Sequence, residues 1–204
     1  SDVPAERQAI AGRIQEAVGT SRRPAARWLR TYASTLVASE PTLDEWERIT
    51  RDELETLVKT PDETQRSVVR DLLRWHVDLL RSLGHTDQVR ANINRIVELV
   101  ESDREELFDV VDWALEREAW FVPERLAERF PAEFWQDALL VYRLAEAKRK
   151  SGDEAGAEET AKLALAMDPK QYDLHLAAAR RLRSERQMFD WAEAEFRQLI
   201  KSAG

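Results

Sequence analysis

Residues 138–171 read ALLVYRLAEAKRKSGDEAGAEETAKLALAMDPKQ, and the spacing of apolar residues within them decides the fold class. Val141, Leu144, Ala145 and Ala147 fall on one stripe of a helix, and a second stripe resumes at Ala157, Ala161, Ala164 and Leu165. Gly152-Asp153 separates the two stripes. Glycine takes the left-handed conformation that ends a helix, and the Asp153 carboxylate can accept a bond from a free N–H of the next helix. The spacing therefore predicts an antiparallel helical hairpin. Alanine at the crossing positions lets the two backbones approach closely, so a bulky residue at Ala157 would overpack the joint at a cost of ~1–3 kcal/mol.

With those residues in view, the unit resembles a tetratricopeptide repeat, a 34-residue hairpin. That family places large apolar residues on a first helix, Gly at the turn, small residues where the helices cross and Pro at the exit. Val141, Leu144, Ala145, Gly152, Ala157, Ala161, Ala164 and Pro169 occupy those places. Lys148 and Ala161 stand where the family has aromatic residues, which implies a slimmer interface.

Working outward, Gly84 and Gly152 lie 68 residues apart, two periods of 34. The same frame puts Leu73, Val77, Leu80, Val89, Ile93 and Ile96 at repeat core places, so Arg70 to Asp103 forms a second unit. Ser102 and Glu105 read as a capping box that opens a helix with Leu107, Val110, Val111, Ala114 and Leu115. There the frame loosens. Glu118 stands in the place of the turn Gly, Pro123 restarts the chain as a short helix, and Pro131 cuts that helix off. A final unit begins near Tyr172, with Phe189, Ala192 and Phe196 on its second helix if one residue is inserted at the turn. The resemblance covers residues 70–202. It implies an all-α, right-handed α-solenoid of antiparallel hairpins.

Residues 1–60 do not align with this frame and are expected to be a helical segment that starts the solenoid divergently, with residues 61–204 as repeats of one continuous array. Ile10, Ile14 and Val18 mark one helix, Trp28, Leu29, Tyr32, Leu36 and Val37 a second, and Thr42 with Glu45 caps a third. Thr60-Pro61-Asp62-Glu63 repeats the capping device.

Composition limits the chemistry. The chain has 204 residues, 43% hydrophobic and 34% charged, with no Cys and a net charge of −8. Its length suffices for a core without metal or disulfide help. Lack of Cys removes thiolate catalysis and thiolate metal sites but does not fix a compartment, which is left open. An acidic balance argues against nucleic-acid partners, whose phosphates need clustered cations. The longest apolar run, Ala138 to Val141, is far shorter than the ~20 residues of a membrane span. The chain starts Ser-Asp-Val and is expected to be a segment of a longer protein.

No set of acid, base, nucleophile or metal ligands assembles. His76, His85 and His175 include no i, i+4 pair for a metal, and His76 lies in an apolar stripe, as a core histidine with a polar partner would. No cofactor is expected. Trp113, Trp120 and Phe121, then Phe130, Phe134 and Trp135, bracket the degenerate repeat. They are expected to fill core space, with an exposed anchor pocket as the alternative.

In tetratricopeptide repeats the first helices line a concave groove. The frame turns Tyr142, Glu146, Arg149, Leu176, Arg180 and Arg183 toward it. The carboxylate-clamp variant of the family uses Asn and Lys where this chain has Arg143, Glu146, Ala177 and Arg180, so that specificity is not carried over. The resemblance implies a non-catalytic interaction scaffold that holds a protein or peptide in the groove. Arg180 and Arg183, on one face of an otherwise acidic chain, point to an acidic or amphipathic segment, with a simply solvated face as the alternative reading of those arginines. The alternatives are self-association or docking within a larger protein, and an unrecognised helical enzyme. The last helix, near Met188 to Lys201, carries more apolar positions than one partner covers. It is therefore expected either to be followed by more chain or to pair with another copy.

Overall fold

The computed structural model describes residues 43–57, 63–167, 172–184 and 186–202. The helices expected before residue 43 and the caps at Thr42 and Thr60 lie outside the described residues. Within them every regular element is a helix and no strand occurs. The chain divides into two compact units, Ser1–Leu99 and Val100–Gly204.

In the first unit, α1 (Leu43–Leu57) packs on α2 (Glu63–Leu83), and α2 folds back on α3 (Thr86–Leu99). Gly84 ends α2 with φ 77°, and the His85 N–H bonds the Leu80 carbonyl at 2.9 Å, which closes the helix end. Leu73, Val77 and Leu80 are buried, as are Ile93 and Ile96, while Val89 is only partly covered. Each such side chain contributes ~1.5–3 kcal/mol by leaving water.

The second unit opens with α4 (Arg104–Glu116). Its cap is Asp103, which accepts from the Glu106 N–H at 2.9 Å. The expected Ser102 box is thus displaced by one residue: Ser102 to Glu106 reads SDREE and offers two capping registers, of which the chain uses the later. The end of α4 repeats the turn seen after α2, because Glu118 takes the left-handed conformation at φ 61° and the Ala119 N–H bonds the Ala114 carbonyl at 2.9 Å. A side chain pays ~1–2 kcal/mol there, which Gly would not. Helix α5 (Val122–Arg129) starts with Pro123 in its first turn, and α6 (Pro131–Phe134) is a single turn begun by Pro131.

Helices α7 (Ala138–Ser151) and α8 (Glu154–Ala166) form the hairpin expected for residues 138–166. Asp137 caps α7 by accepting from the Leu139 and Leu140 N–H groups at 2.9 and 3.3 Å. Gly152 ends it at φ 96°, and Asp153 caps α8 through the Gly156 N–H at 2.9 Å. A Cβ at Gly156 would collide with that same carboxylate. Ala145, Ala157, Ala161 and Ala164 are all buried where the helices cross. A second hairpin follows, α9 (Tyr172–Ser184) on α10 (Phe189–Ser202), with Gln187 left-handed at φ 57° in the turn. One core joins these four helices: Val141 and Tyr142 of α7, the alanines of α8, Ala178 and Leu182 of α9, and Trp191 and Ala192 of α10. The described residues are all-α and built of antiparallel helical hairpins.

Candidate interaction surface of the second unit

The six residues expected to line a groove do not share one surface. Tyr142 is 1% exposed, so it is a core residue and not an apolar contact for a partner. Its hydroxyl donates to Glu195 Oε1 at 2.7 Å, and the other oxygen of that carboxylate meets His175 Nδ1 at 2.6 Å. His175 Nε2 lies 2.8 Å from the Met167 carbonyl, which can only accept, so Nε2 carries a hydrogen. The remaining proton lies between Nδ1 and the carboxylate, and the pair has no net charge whichever atom holds it. Glu195 is 0% and His175 2% exposed. Burial pushes the Glu195 carboxyl above the usual carboxylate range, against the downward pull of its bonds to Tyr142 and His175. Burial first, and then the Glu195 charge, raise the Tyr142 hydroxyl well above its ordinary value.

Glu146 is also buried and therefore lines no groove. It belongs to a polar cluster in which Arg143 Nε donates to Asp112 Oδ1 at 2.6 Å and Arg186 bonds the same oxygen. Glu146 Oε2 lies 3.6 Å from a nitrogen of each guanidinium. Burial raises the Glu146 carboxyl, and the charges of Arg186 and Arg143 oppose that shift. The cluster links α4, α7 and the α9–α10 turn. Arg149 is committed as well: it lies 3.8 Å over the Trp191 ring and pairs with Asp190 at 2.7 Å, with Glu154 at 3.3 Å and with Glu158. Trp191 Nε1 donates to Glu158 at 3.0 Å, so Arg149 staples α7 to α8 and α10.

The other three residues stay together. Leu176 is partly buried, and Arg180 and Arg183 are exposed, at the i, i+4 and i+7 places of one α9 face. Their neighbour Arg181 turns away to Phe108, whose ring also carries Arg104 at 5.0 Å. Of the bracketing aromatics, Trp113 and Phe134 are buried, Trp120, Phe121 and Phe130 are partly covered, and Trp135 is exposed.

Glu195, His175, Asp112 and Arg186 were not singled out from the sequence as partners of these residues. One signal for such a cluster was present: Arg143 and Glu146 interrupt a stretch from Ala138 to Ala147 that is otherwise apolar almost all round. In the first unit, His76 is buried as expected, with Asn92 Nδ2 donating to Nδ1 at 2.8 Å and Nε2 donating to Glu47 at 3.1 Å. Among the described residues no group of three or more His, Asp or Glu is placed to hold a metal ion. No described helix is long and apolar enough to cross a membrane.

These features define an all-α protein of helical hairpins whose second unit is tied together by buried polar links. No protein-family model and no curated protein matches the chain. Among solved structures it is similar to "MamA RS-1 ArsTM double mutant", at 13% identity over 98% of this chain and 94% of that one, with a TM-score of 0.38. It is also similar to "MamA 41-end from Desulfovibrio magneticus RS-1", at 16% identity over 98% and 95%, with a TM-score of 0.37.

Proposed function

We propose that the chain is a non-catalytic interaction module of the tetratricopeptide-repeat kind that holds an acidic or amphipathic segment of another protein along α9. The observation that carries this reading is the strip Leu176–Arg180–Arg183. It sets two exposed guanidiniums beside a partly covered leucine in a chain of net charge −8. Arg143, Arg149 and Arg186 are spent on internal carboxylates, whereas Arg180 and Arg183 face solvent. The Tyr142–Glu195–His175 chain is sealed from solvent, which favours a structural role for it over an enzymatic one.

Fluorescence anisotropy with a labelled helical peptide of leucine and glutamate, and with its lysine counterpart, tests the proposal. The acidic peptide binds preferentially and loses affinity as salt rises. Arg180→Glu with Arg183→Glu weakens it roughly tenfold or more, since each exposed pair is worth ~0.2–1 kcal/mol and reversal turns attraction into repulsion. Equal binding of both peptides, or no change on reversal, overturns the reading.

A second reading, self-association or docking within a larger protein, is favoured by a separate observation. Phe189 and Ile200 of α10 are 60% and 73% exposed.

A further inference from the structure

The outer face of α10 has a pattern that specifies its partner. Phe189, Glu193, Arg197 and Ile200 follow one another at helical spacings of four, four and three, with Phe196 beside Arg197 at the edge of the same strip. Trp191, Ala192, Glu195 and Leu199 are buried on the opposite face. Phe189 and Ile200 stand at the two ends of the outer strip, about 16 Å apart along the helix. Glu193 and Arg197 lie between them, exposed and paired with each other at 2.7 Å. Phe196 is partly covered at the margin.

We infer that this strip pairs with the same strip of a second copy of the chain, in antiparallel orientation, about a two-fold axis passing between Ala194 and Glu195. The inference rests on the self-association reading and gives it a face and a register. In that register Phe189 packs on Ile200 of the second copy at both ends. Glu193 comes within about 1.5 Å, measured along the axis, of Arg197 of the second copy. Each Glu193–Arg197 bond within a helix then gains a counterpart across the interface. Parallel in-register pairing would instead set Glu193 against Glu193 and Arg197 against Arg197, which is repulsive. A two-fold interface must be complementary to itself, and the antiparallel arrangement of this strip is. The helix of 14 residues is about 21 Å long, which is short of a standard interface, so the pair is weak and concentration-dependent.

Sedimentation of the full chain over a concentration series, joined to oxidative cross-linking, tests this. The chain contains no Cys, so single-cysteine variants report one contact each. The expected result is a reversible monomer–dimer equilibrium. Ile200→Glu, at an exposed position that leaves helicity intact by circular dichroism, weakens it at least tenfold. In an equimolar mixture of Phe189→Cys and Ile200→Cys, the mixed disulfide exceeds either homodimer. A dimer indifferent to Ile200→Glu, or a dominant Phe189→Cys homodimer, overturns the inference while self-association stands. A monomer at every concentration overturns both and leaves the strip to a different protein.

Discussion

Replacing Tyr142 by Phe removes one oxygen from the centre of the second unit and little else. The ring keeps its place against Trp191, whose centroid is 6.0 Å away, so apolar burial is unchanged. What is lost is the hydroxyl bond to Glu195 at 2.7 Å, in a site where the carboxylate is 0% exposed and water cannot replace the donor. A buried hydrogen bond contributes ~0.5–1.5 kcal/mol, and an orphaned buried acceptor costs ~1–3 kcal/mol, so a loss of about 1–3 kcal/mol is expected. Had Tyr142 lined a groove, the change would stay within about 0.5 kcal/mol. The pH dependence adds a second signature. The folded state holds the Glu195 carboxyl above its ordinary value, so the stability linked to it is full below that value and is lost as pH rises through the raised one. The Tyr142 bond opposes the rise. The Phe variant therefore suffers most above the raised value and less in acid, where Glu195 is protonated in both proteins. Urea midpoints by circular dichroism, with hydrogen exchange of residues 189–199 to isolate the second unit, measure both effects. An unchanged midpoint, or a penalty independent of pH, would refute the reasoning.

Leu144→Ala empties a buried position of α7 and is expected to cost ~2–5 kcal/mol, read as a lower urea midpoint. In the first unit, burial holds the His76 imidazole below 6.5, outweighing its bond to Glu47. The unfolded chain therefore takes up a proton that the fold resists. Stability of that unit falls as pH drops below about 6.5 and keeps falling until the depressed folded value is reached. Thermal melts stepped downward from neutral pH show this slope, and His76→Gln removes it; a slope that persists in that variant assigns the effect to another group.

The hairpins were legible because their signals are local. Gly84 and Gly152, two 34-residue periods apart, both take positive φ, and five of the six core residues matched to that frame around Gly84 are buried. Glu118 stands in the turn place and adopts the turn conformation despite its side chain, since the flanking helices require it. The site was less legible because its partners are remote. Tyr142 meets a residue 53 positions away, and Asp112 receives Arg143 and Arg186 from 31 and 74 positions away. A family frame assigns Tyr142 and Glu146 to a face of the helix but is blind to what a later helix lays over that face. Arg180 and Arg183 lie on a helix surface that no later described helix covers, so for them the frame and the exposure agree.

The cap of α8 couples two positions that look independent. Gly within a helix is ordinarily a weak point, but at Gly156 the missing methyl is the space into which the Asp153 carboxylate folds. Alanine at 156 would strengthen the helix by ~1 kcal/mol while forcing the carboxylate out and forfeiting a cap worth ~0.5–2 kcal/mol. The two quantities nearly cancel. The turn can therefore be held either by a side-chain bond with a flexible first turn or by a stiffer first turn with no bond. The hairpin can exchange one for the other in a single substitution with little change in its free energy, so Gly156 is a place where this repeat can drift without losing its shape.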